Sequence, residues 1–378
     1  MKIIIVGPVY PYKGGISHYT GLMAKNLQKE HEVEIVSFSL QYPKFLYKKN
    51  QKDFDNDAFK YENTIYILNT INPISYIKTA KYIKKQKPDL VIFQWWHPFF
   101  APAYWCVLKS IAKLSKIIFI CHNVLPHEKF PLQKYLTGAI LKKGGCIVHS
   151  DADTQELAEI VKSPIFEKTV HPTYDVFNSV NTYTGIKARE QLSLSQSDKV
   201  ILFFGFIREY KGLKHLIRAM PKIASTSSEC KLLIVGDYFE GNKQVYTDLI
   251  ESTGVSENIK VYDGYIPDDE VGIYFSACDL VVLPYESATQ SGIVQIAYGF
   301  NKPVIATNVG GLPDVVINEK TGYLIPPCDS NAIADAIARF FEVKDRQAFV
   351  TNIENEKHKF SWDRMNETVE GLYDRITR

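Results

Sequence analysis

The chain has 378 residues, 46% of them hydrophobic and 23% charged, with a formal net charge of +2. That length suits two domains of ordinary size, each able to bury a full core, and the near-neutral balance excludes a global electrostatic pull toward nucleic acid. The charge is uneven: residues 1–180 contain many Lys and no Arg and sum to about +8, while the remainder sums to about −6. Such a basic half suits either an anionic membrane leaflet or a plain solvated surface.

The N-terminal "MKIIIVGPVYPYKGG" holds one short apolar strand that breaks at Gly7-Pro8. It is too short for the apolar core of a signal peptide, and no run of about 18 apolar residues follows anywhere. Cys106, Cys121, Cys146, Cys230, Cys278 and Cys328 are scattered without CxxC spacing. That argues against a disulfide framework or a zinc knuckle and fits a reducing compartment. The expectation is a cytoplasmic protein, with peripheral contact at the inner membrane face as its extension.

Taken in chain order, Lys2–Val6, Glu32–Phe38, Ile65–Leu68, Leu90–Gln94, Lys116–Cys121 and Cys146–His149 read as strands. Amphipathic stretches such as Ile16–Gln28 and Ser75–Lys87 lie between them. The pattern restarts at Lys199–Gly205 and continues through Lys231–Gly236, Ile259–Asp263, Leu280–Pro284, Pro303–Thr307 and Gly322–Ile325. Alternating strands and helices predict βαβ units and parallel sheets covered on both faces. Residues 172–198 are rich in Ser, Thr and Asn, apart from a short helix near Ile186–Gln191, and read as the hinge. Open parallel sheets bind ligands beyond the carboxyl ends of their strands, so the loops after each strand carry the candidates.

Three loops stand out. After the first strand, Gly14-Gly15 precede a helix, where paired glycines admit close backbone approach and a helix start favours anions. The stretch is not GxGxxG, so a dinucleotide site is weakly supported. In "FFGFIREYKG", Arg208 and Lys211 follow Gly205 at a strand end and helix start. Cations are unfavourable there unless they face a diphosphate; a salt bridge to Glu209 is the bland alternative. In "LPYESATQSGIVQIAYGFNKPVIAT", Ser291 and Gly292 occupy a helix start, and with Ile293 they can offer backbone N–H groups to phosphate. Thr289 and Gln290 add neutral donors, and a simple Ser N-cap is the alternative.

Together with "KLLIVGD", "YIPDDEVGIYFSACDLVVLPY", "KPVIATNVGGLPDVV", "TGYLIPP" and "FSWDRMNETVEGLYDRI", these motifs make essentially the whole chain resemble the retaining glycosyltransferases of the GT-B fold, specifically glycosyltransferase family 4. The resemblance implies an α/β fold of two Rossmann-like doubly wound parallel-sheet domains facing across a cleft. Residues 1–180 would form the acceptor-binding domain and 181–360 the nucleotide-sugar-binding domain, with a helix over 361–378 crossing back to the first. It implies a metal-independent hexosyltransferase that uses a nucleotide-diphosphate donor, UDP or GDP first, and no cofactor. The acceptor would be a glycan or lipid-linked intermediate of cell-surface polysaccharide or glycoconjugate synthesis.

The chain departs from the family where two Glu residues separated by seven positions are usual. Counting back from Pro303 puts Ala288 and Ile296 there; anchoring on Ser291-Gly292 puts Thr289 and Ala297. Glu286 is the substitute for the first Glu, and Gln295 for the second, by hydrogen-bonding a hydroxyl. The family's Arg directly after the Gly is also displaced, from position 206 to Arg208. His122, in "ICHNVLPHE", stands where family members carry a His at the sugar, and His127 and Glu128 are further candidates. Two rivals share these features: a sugar-nucleotide epimerase on the same fold, because fold does not fix function, and a non-catalytic partner subunit, suggested by the absent Glu pair.

Three other stretches carry competing readings, and for Asp151-Ala-Asp153 the metal reading is rejected. "QWWHPFFAPAYW" (94–105) suits sugar stacking or an acceptor path as well as an ordinary core. Asp151-Ala-Asp153 spells a metal-binding DxD but opens a helix, where acids serve as caps and dipole partners; so do Asp268-Asp269-Glu270. "YIKTAKYIKKQK" (76–87) is a basic amphipathic stretch that suits either a membrane surface or a solvated helix face.

Overall fold

The computed structural model describes residues 1–47, 50–54, 57, 59–126, 130–174, 176–177, 183–238 and 243–378. The chain divides into two compact units, Met1–Val170 with Ser361–Arg378, and His171–Phe360.

In the first unit the strands are β1 (Lys2–Val6), β2 (Glu32–Leu40), β3 (Thr64–Asn69), β4 (Leu90–Trp95), β5 (Lys116–Cys121), β6 (Gly145–Val148) and β7 (Phe166–Lys168). They form one sheet in the order β3-β2-β1-β4-β5-β6-β7, every pair parallel. Helices α1 (Gly15–Leu27), α2 (Pro73–Gln86), α3 (Ala101–Ile111), α4 (Gln133–Leu141) and α5 (Asp151–Ile160) connect them. The near-continuous apolar strands follow from burial on both faces. Ile4 and Val6 of β1 join one core with α2 and α3. Ile3 and Ile5 point the other way, into a core with Tyr19, Met23 and Leu27 of α1.

That second core is closed by a helix from the far end of the chain, Trp362–Thr377, capped by Ser361, whose hydroxyl accepts from Arg364 N. Its Met365, Val369 and Leu372 are buried among Ile118, Ile120 and Ile147. A Cβ on Gly145 would lie 3.1 Å from Leu372, so the glycine at the start of β6 lets the helix seat closely.

The second unit repeats the plan with β8 (Lys199–Phe204), β9 (Cys230–Gly236), β10 (Ile259–Asp263), β11 (Leu280–Leu283), β12 (Val304–Thr307) and β13 (Gly322–Ile325). The order is β10-β9-β8-β11-β12-β13, again all parallel. Its helices are α6 (Gly185–Gln191), α7 (Leu213–Thr226), α8 (Lys243–Ser252), α9 (Val271–Ala277), α10 (Gly292–Gly299), α11 (Ser330–Glu342) and α12 (Gln347–Glu356); the Trp362–Thr377 helix is α13. The strand order reverses direction between β8 and β11, which makes the loops after these two strands the rim of a crevice.

The stretch read as a hinge is partly anchored. Arg189 of α6 donates to Asp279 Oδ2 at 3.0 Å and to the carbonyls of Ala277, Gln196 and Asp198. A half-buried Arg with this many acceptors fixes residues 185–198 to the second unit, and the division between units falls at Val170. The aromatic run 94–105 is mostly core: Trp95, Phe100 and Tyr104 are buried, Trp96 donates to Tyr42, and Trp105 alone of these is exposed.

Leu372→Ala deletes a fully buried side chain under the first sheet and is expected to cost about 2–5 kcal/mol. Arg375→Ala, which removes a surface ion pair with Glu167, is expected to cost about 1 kcal/mol or less. Thermal unfolding of the two variants checks this; equal melting temperatures would show that α13 is not integral to the core.

Candidate active site

β8 runs into Gly205, whose φ of +104° lies where only glycine is at ease. The chain continues through Arg208, a single 3-10 turn over Glu209–Lys211, and Gly212 at φ +63°, where α7 begins. Gly212 is required by contact as well as by φ. A Cβ on Gly212 would stand 1.9 Å from the Pro284 carbonyl oxygen, so the loop after β8 lies directly on the loop after β11. Glu286 N donates to Tyr210 O at 2.7 Å and holds the same junction. A Cβ on Gly205 would stand 3.1 Å from Lys211 Nζ and 3.4 Å from Ile293 Cδ1. Gly205, Lys211 and the first turn of α10 therefore meet at one point.

The electrostatics there are lopsided. Lys211 is half-buried as a residue, with its ammonium at the enclosed end and 5.6 Å from the Tyr285 ring centroid. Burial, and then the neighbouring positive charge of Arg208, lower its pKa to about 8. Among the described residues no carboxylate pairs with it. Glu286 is the opposite case. Its Oε1 accepts from Lys214 Nζ at 2.9 Å and from His215 Nε2 at 2.8 Å. Desolvation pushes the carboxyl up, but these hydrogen bonds and the Lys214 charge together outweigh it and hold the pKa below its usual value. The same bond raises the pKa of Lys214. Two lysines three residues apart thus differ: Lys214 has a carboxylate, and Lys211 has none among the described residues.

At the start of α10, Ser291 is the N-cap, and its hydroxyl accepts from Ile293 N at 3.3 Å. The Ile293 N–H is consequently occupied by the cap, leaving Ser291 and Gly292 N–H without a protein acceptor among the described residues. The loop before the cap is braced from β12. Thr307 Oγ1 donates to Tyr285 O at 2.6 Å, Gly311 N donates to Thr289 O, and a Cβ on Gly310 would collide with Ala288 O at 1.5 Å. Thr289 is buried and Gln290 half-buried beside the cap. Gln295 is buried in the first turns of α10, with Oε1 lacking a partner among the described residues. A buried orphan acceptor is costly unless a ligand or water satisfies it.

Sequence reasoning missed Lys214 and His215, which hold Glu286. Their only signal was their place in the first turn of a helix that follows Gly212; the pairing needs β8 and β11 to be neighbours.

In the first unit, Gly14 adopts φ +104° as the N-cap of α1, with no atom near its missing Cβ, and Gly15 opens the helix. His122 follows β5 and is 4% exposed. Its Nε2 lies 2.7 Å from Gln94 Oε1, and its ring meets Tyr19 edge-on at 4.7 Å. It is a positioned, largely enclosed imidazole. His127 and Glu128 lie outside the described residues. Asp151 and Asp153 occupy the first turn of α5; Asp153 is fully buried and bonded by Ser150 Oγ and Val124 N.

Residues 186–356 match the family model described as Glycosyl transferases group 1. An uncharacterized glycosyltransferase of Methanocaldococcus jannaschii is 24% identical over 414 residues, covering 99% of this chain and 98% of that protein. D-inositol 3-phosphate glycosyltransferase of Corynebacterium jeikeium is 28% identical over 239 residues, 61% of this chain and 57% of its own length. Among solved structures, sucrose-phosphate synthase from Thermosynechococcus elongatus superposes with a TM-score of 0.77 at 20% identity, covering 100% of this chain and 99% of that one. Anabaena HepE in complex with UDP gives 0.75 at 18%, covering 99% and 100%. Residues 186–356 thus match the Glycosyl transferases group 1 model, and the chain has the GT-B fold, two Rossmann-like units, of these solved structures.

Proposed function

We propose that the chain is a retaining, metal-independent hexosyltransferase that takes its sugar from a nucleoside diphosphate. The observation that carries this reading is the Lys211 ammonium: enclosed, pressed by Arg208, without a carboxylate, and set against Gly205 and the start of α10. A diphosphate supplies the missing negative charge. Arg208 can clamp two of its oxygens, Lys211 acts as a point charge, and the N–H groups of Ser291 and Gly292 add hydrogen bonds. These groups do for the leaving diphosphate what a metal does elsewhere. UDP is the first candidate, supported by the UDP held by the HepE neighbour.

In the reaction, the bond between the sugar's anomeric carbon and the diphosphate oxygen breaks, and the acceptor oxygen bonds to that carbon on the same face. The departing phosphate oxygen takes the acceptor's proton, so no protein nucleophile is needed. Glu286 holds sugar hydroxyls, and Gln295 Oε1 accepts from a donor hydroxyl. The first unit's Gly14, Gly15 and His122 keep the phosphate-side and sugar-side roles that the family resemblance implies. The acceptor is a glycan or lipid-linked intermediate. Its membrane side is supported by α2, which exposes Ile74 (63%) and Ile77 (51%) on a face with Lys78, Lys81, Lys84 and Lys85. No described helix is long and apolar enough to cross a membrane, so contact would be interfacial.

A thermal-shift screen of UDP, GDP and ADP tests the donor site, because a ligand of the folded state raises the melting temperature. One nucleotide is expected to stabilise the protein, and Arg208→Ala and Lys211→Ala to remove most of that shift. No shift with any nucleotide, from a folded protein, would overturn the reading in favour of a partner subunit.

The lowered pKa of Lys211 adds a pH dependence. Free protein loses this proton as pH rises through about 8, whereas a bound diphosphate favours the charged form and raises the pKa. Affinity is therefore full below pH 8 and falls above it, by up to about tenfold per pH unit. Calorimetric titration with the nucleotide between pH 7 and 9.5 measures this, and Lys211→Met is expected to flatten the profile.

For the membrane side, co-sedimentation is expected with phosphatidylglycerol vesicles and not with phosphatidylcholine. Ile74→Asp/Ile77→Asp is expected to weaken it roughly tenfold. Equal binding by the double variant would remove α2 from the contact.

A further inference from the structure

A second group of side chains shares Glu286 with the proposed sugar site and adds Cys328, which the transfer reaction does not use. His215 is buried in the first turn of α7, Glu286 follows β11, and Cys328 follows β13. These three come from separate elements, yet one ligand atom from each lies within 4.8 Å of the other two. We propose that His215, Glu286 and Cys328 form a binding site for a thiophilic divalent transition metal, with zinc as the natural occupant and a water or substrate oxygen in the fourth position.

The ligand chemistry supports that class of ion. An imidazole nitrogen, a carboxylate oxygen and a thiolate sulfur are a borderline-soft set that suits zinc or cobalt and rejects magnesium. A tetrahedral zinc with bonds of about 2.0–2.3 Å keeps its ligands about 3.5 Å apart. The observed spread, within 4.8 Å, is about 1.3 Å wider than that.

Further features of the group bear on metal binding. Cys328 has φ +60°, a left-handed conformation that a side chain other than Gly or Asn seldom holds. It is also the one exposed cysteine of the six, the others being buried or intermediate, so its thiol is accessible in a way theirs are not. Lys214, which shares Glu286, has an alternative carboxylate in Glu209 at 3.5 Å, so it can leave Glu286 to a metal without losing a partner. His215 Nε2 already sits 2.8 Å from Glu286 Oε1, which orients the imidazole toward the site.

Binding would release the thiol proton and place a dipositive ion beside Glu286. Because the proposed function assigns Glu286 to the sugar, metal and sugar would then compete for it. The ion would act as an inhibitor of transfer and not as its cofactor. The metal site itself does not rest on the donor assignment.

Cobalt(II) titration of the full-length protein, kept reduced by a phosphine that does not bind metals, tests the site. One equivalent is expected to give a near-ultraviolet thiolate-to-cobalt absorption and the visible bands of four-coordinate cobalt. Zinc is expected to erase both, and magnesium to do neither. Cys328→Ser, at an exposed position, is expected to abolish the ultraviolet band, His215→Gln to weaken binding at least tenfold, and Cys106→Ser to change nothing. Absence of the band at saturating cobalt, or its survival in Cys328→Ser, would overturn the proposal. The absorption is read without turnover, so failure of the donor reading leaves the result interpretable, and nucleotide thermal shifts distinguish the two failures.

Discussion

The second unit depends on one close approach: the α-carbon of Gly212 lies against the carbonyl of Pro284, where a side chain would stand 1.9 Å from the oxygen. It joins the loop after β8 to the loop after β11 at the point where the strand order reverses. The left-handed φ of Gly212 ends the short turn that carries Lys211 and starts α7, which carries Lys214 and His215. Glu286, two residues past Pro284, then falls between those last two side chains. The ammonium of Lys211 is turned the other way, over Gly205. One backbone contact thereby separates a neutralised cation from an unneutralised one. The same device recurs around it, at Gly236 against Gly205 O and at Gly310 against Ala288 O.

Most strands were legible because parallel sheets covered on both faces need unbroken apolar runs, and such runs are easy to see. The exception is β7, Phe166-Glu-Lys168, a three-residue edge strand whose side chains are not fully buried. An edge strand needs only backbone pairing, here with β6, so its sequence carries no pattern. The long polar stretch before β8 likewise carries little pattern of its own. Residues 185–198 are held by side chains from elsewhere in the sequence: Arg189 reaches Ala277 O and Asp279, and Lys260 donates to Leu192 O and Ser193 O. The run of aromatics after β4 was ambiguous because an apolar ring reads the same whether it faces a sugar or a core; only burial decides.

The site was legible by residue type and not by pairing. Gly205, Lys211, Ser291 and Gly292 could be picked out because loop glycines and helix-start cations are unusual in themselves. That Glu286 is held by Lys214 and His215 could not be seen, since it requires the adjacency of β8 and β11. Cys328 gave no signal at all: nothing in "IPPCDS" reports a left-handed φ or the proximity of His215. His122 was found by resemblance, and its structural setting adds what sequence lacks, a buried imidazole held by Gln94 and Tyr19.

The absent pair of glutamates has a physical counterpart in this arrangement. The positions that would carry them are Ala288 or Thr289 and Ile296 or Ala297. Ala288 is pressed against Gly310 through its carbonyl, and Ile296 and Ala297 are buried. An ionised carboxylate at either buried position would need a partner to offset desolvation. A neutral amide one residue earlier, Gln295, presents a buried acceptor at lower cost, and a carboxylate two residues before Ala288, Glu286, keeps its charge because Lys214 and His215 stabilise it. The negative charge of Glu286 is matched internally by Lys214 and His215. Positive charge at Lys211 has been left unmatched among the described residues. A helix start with no acid in its first turn, close to an enclosed cation, is an arrangement that an anion completes.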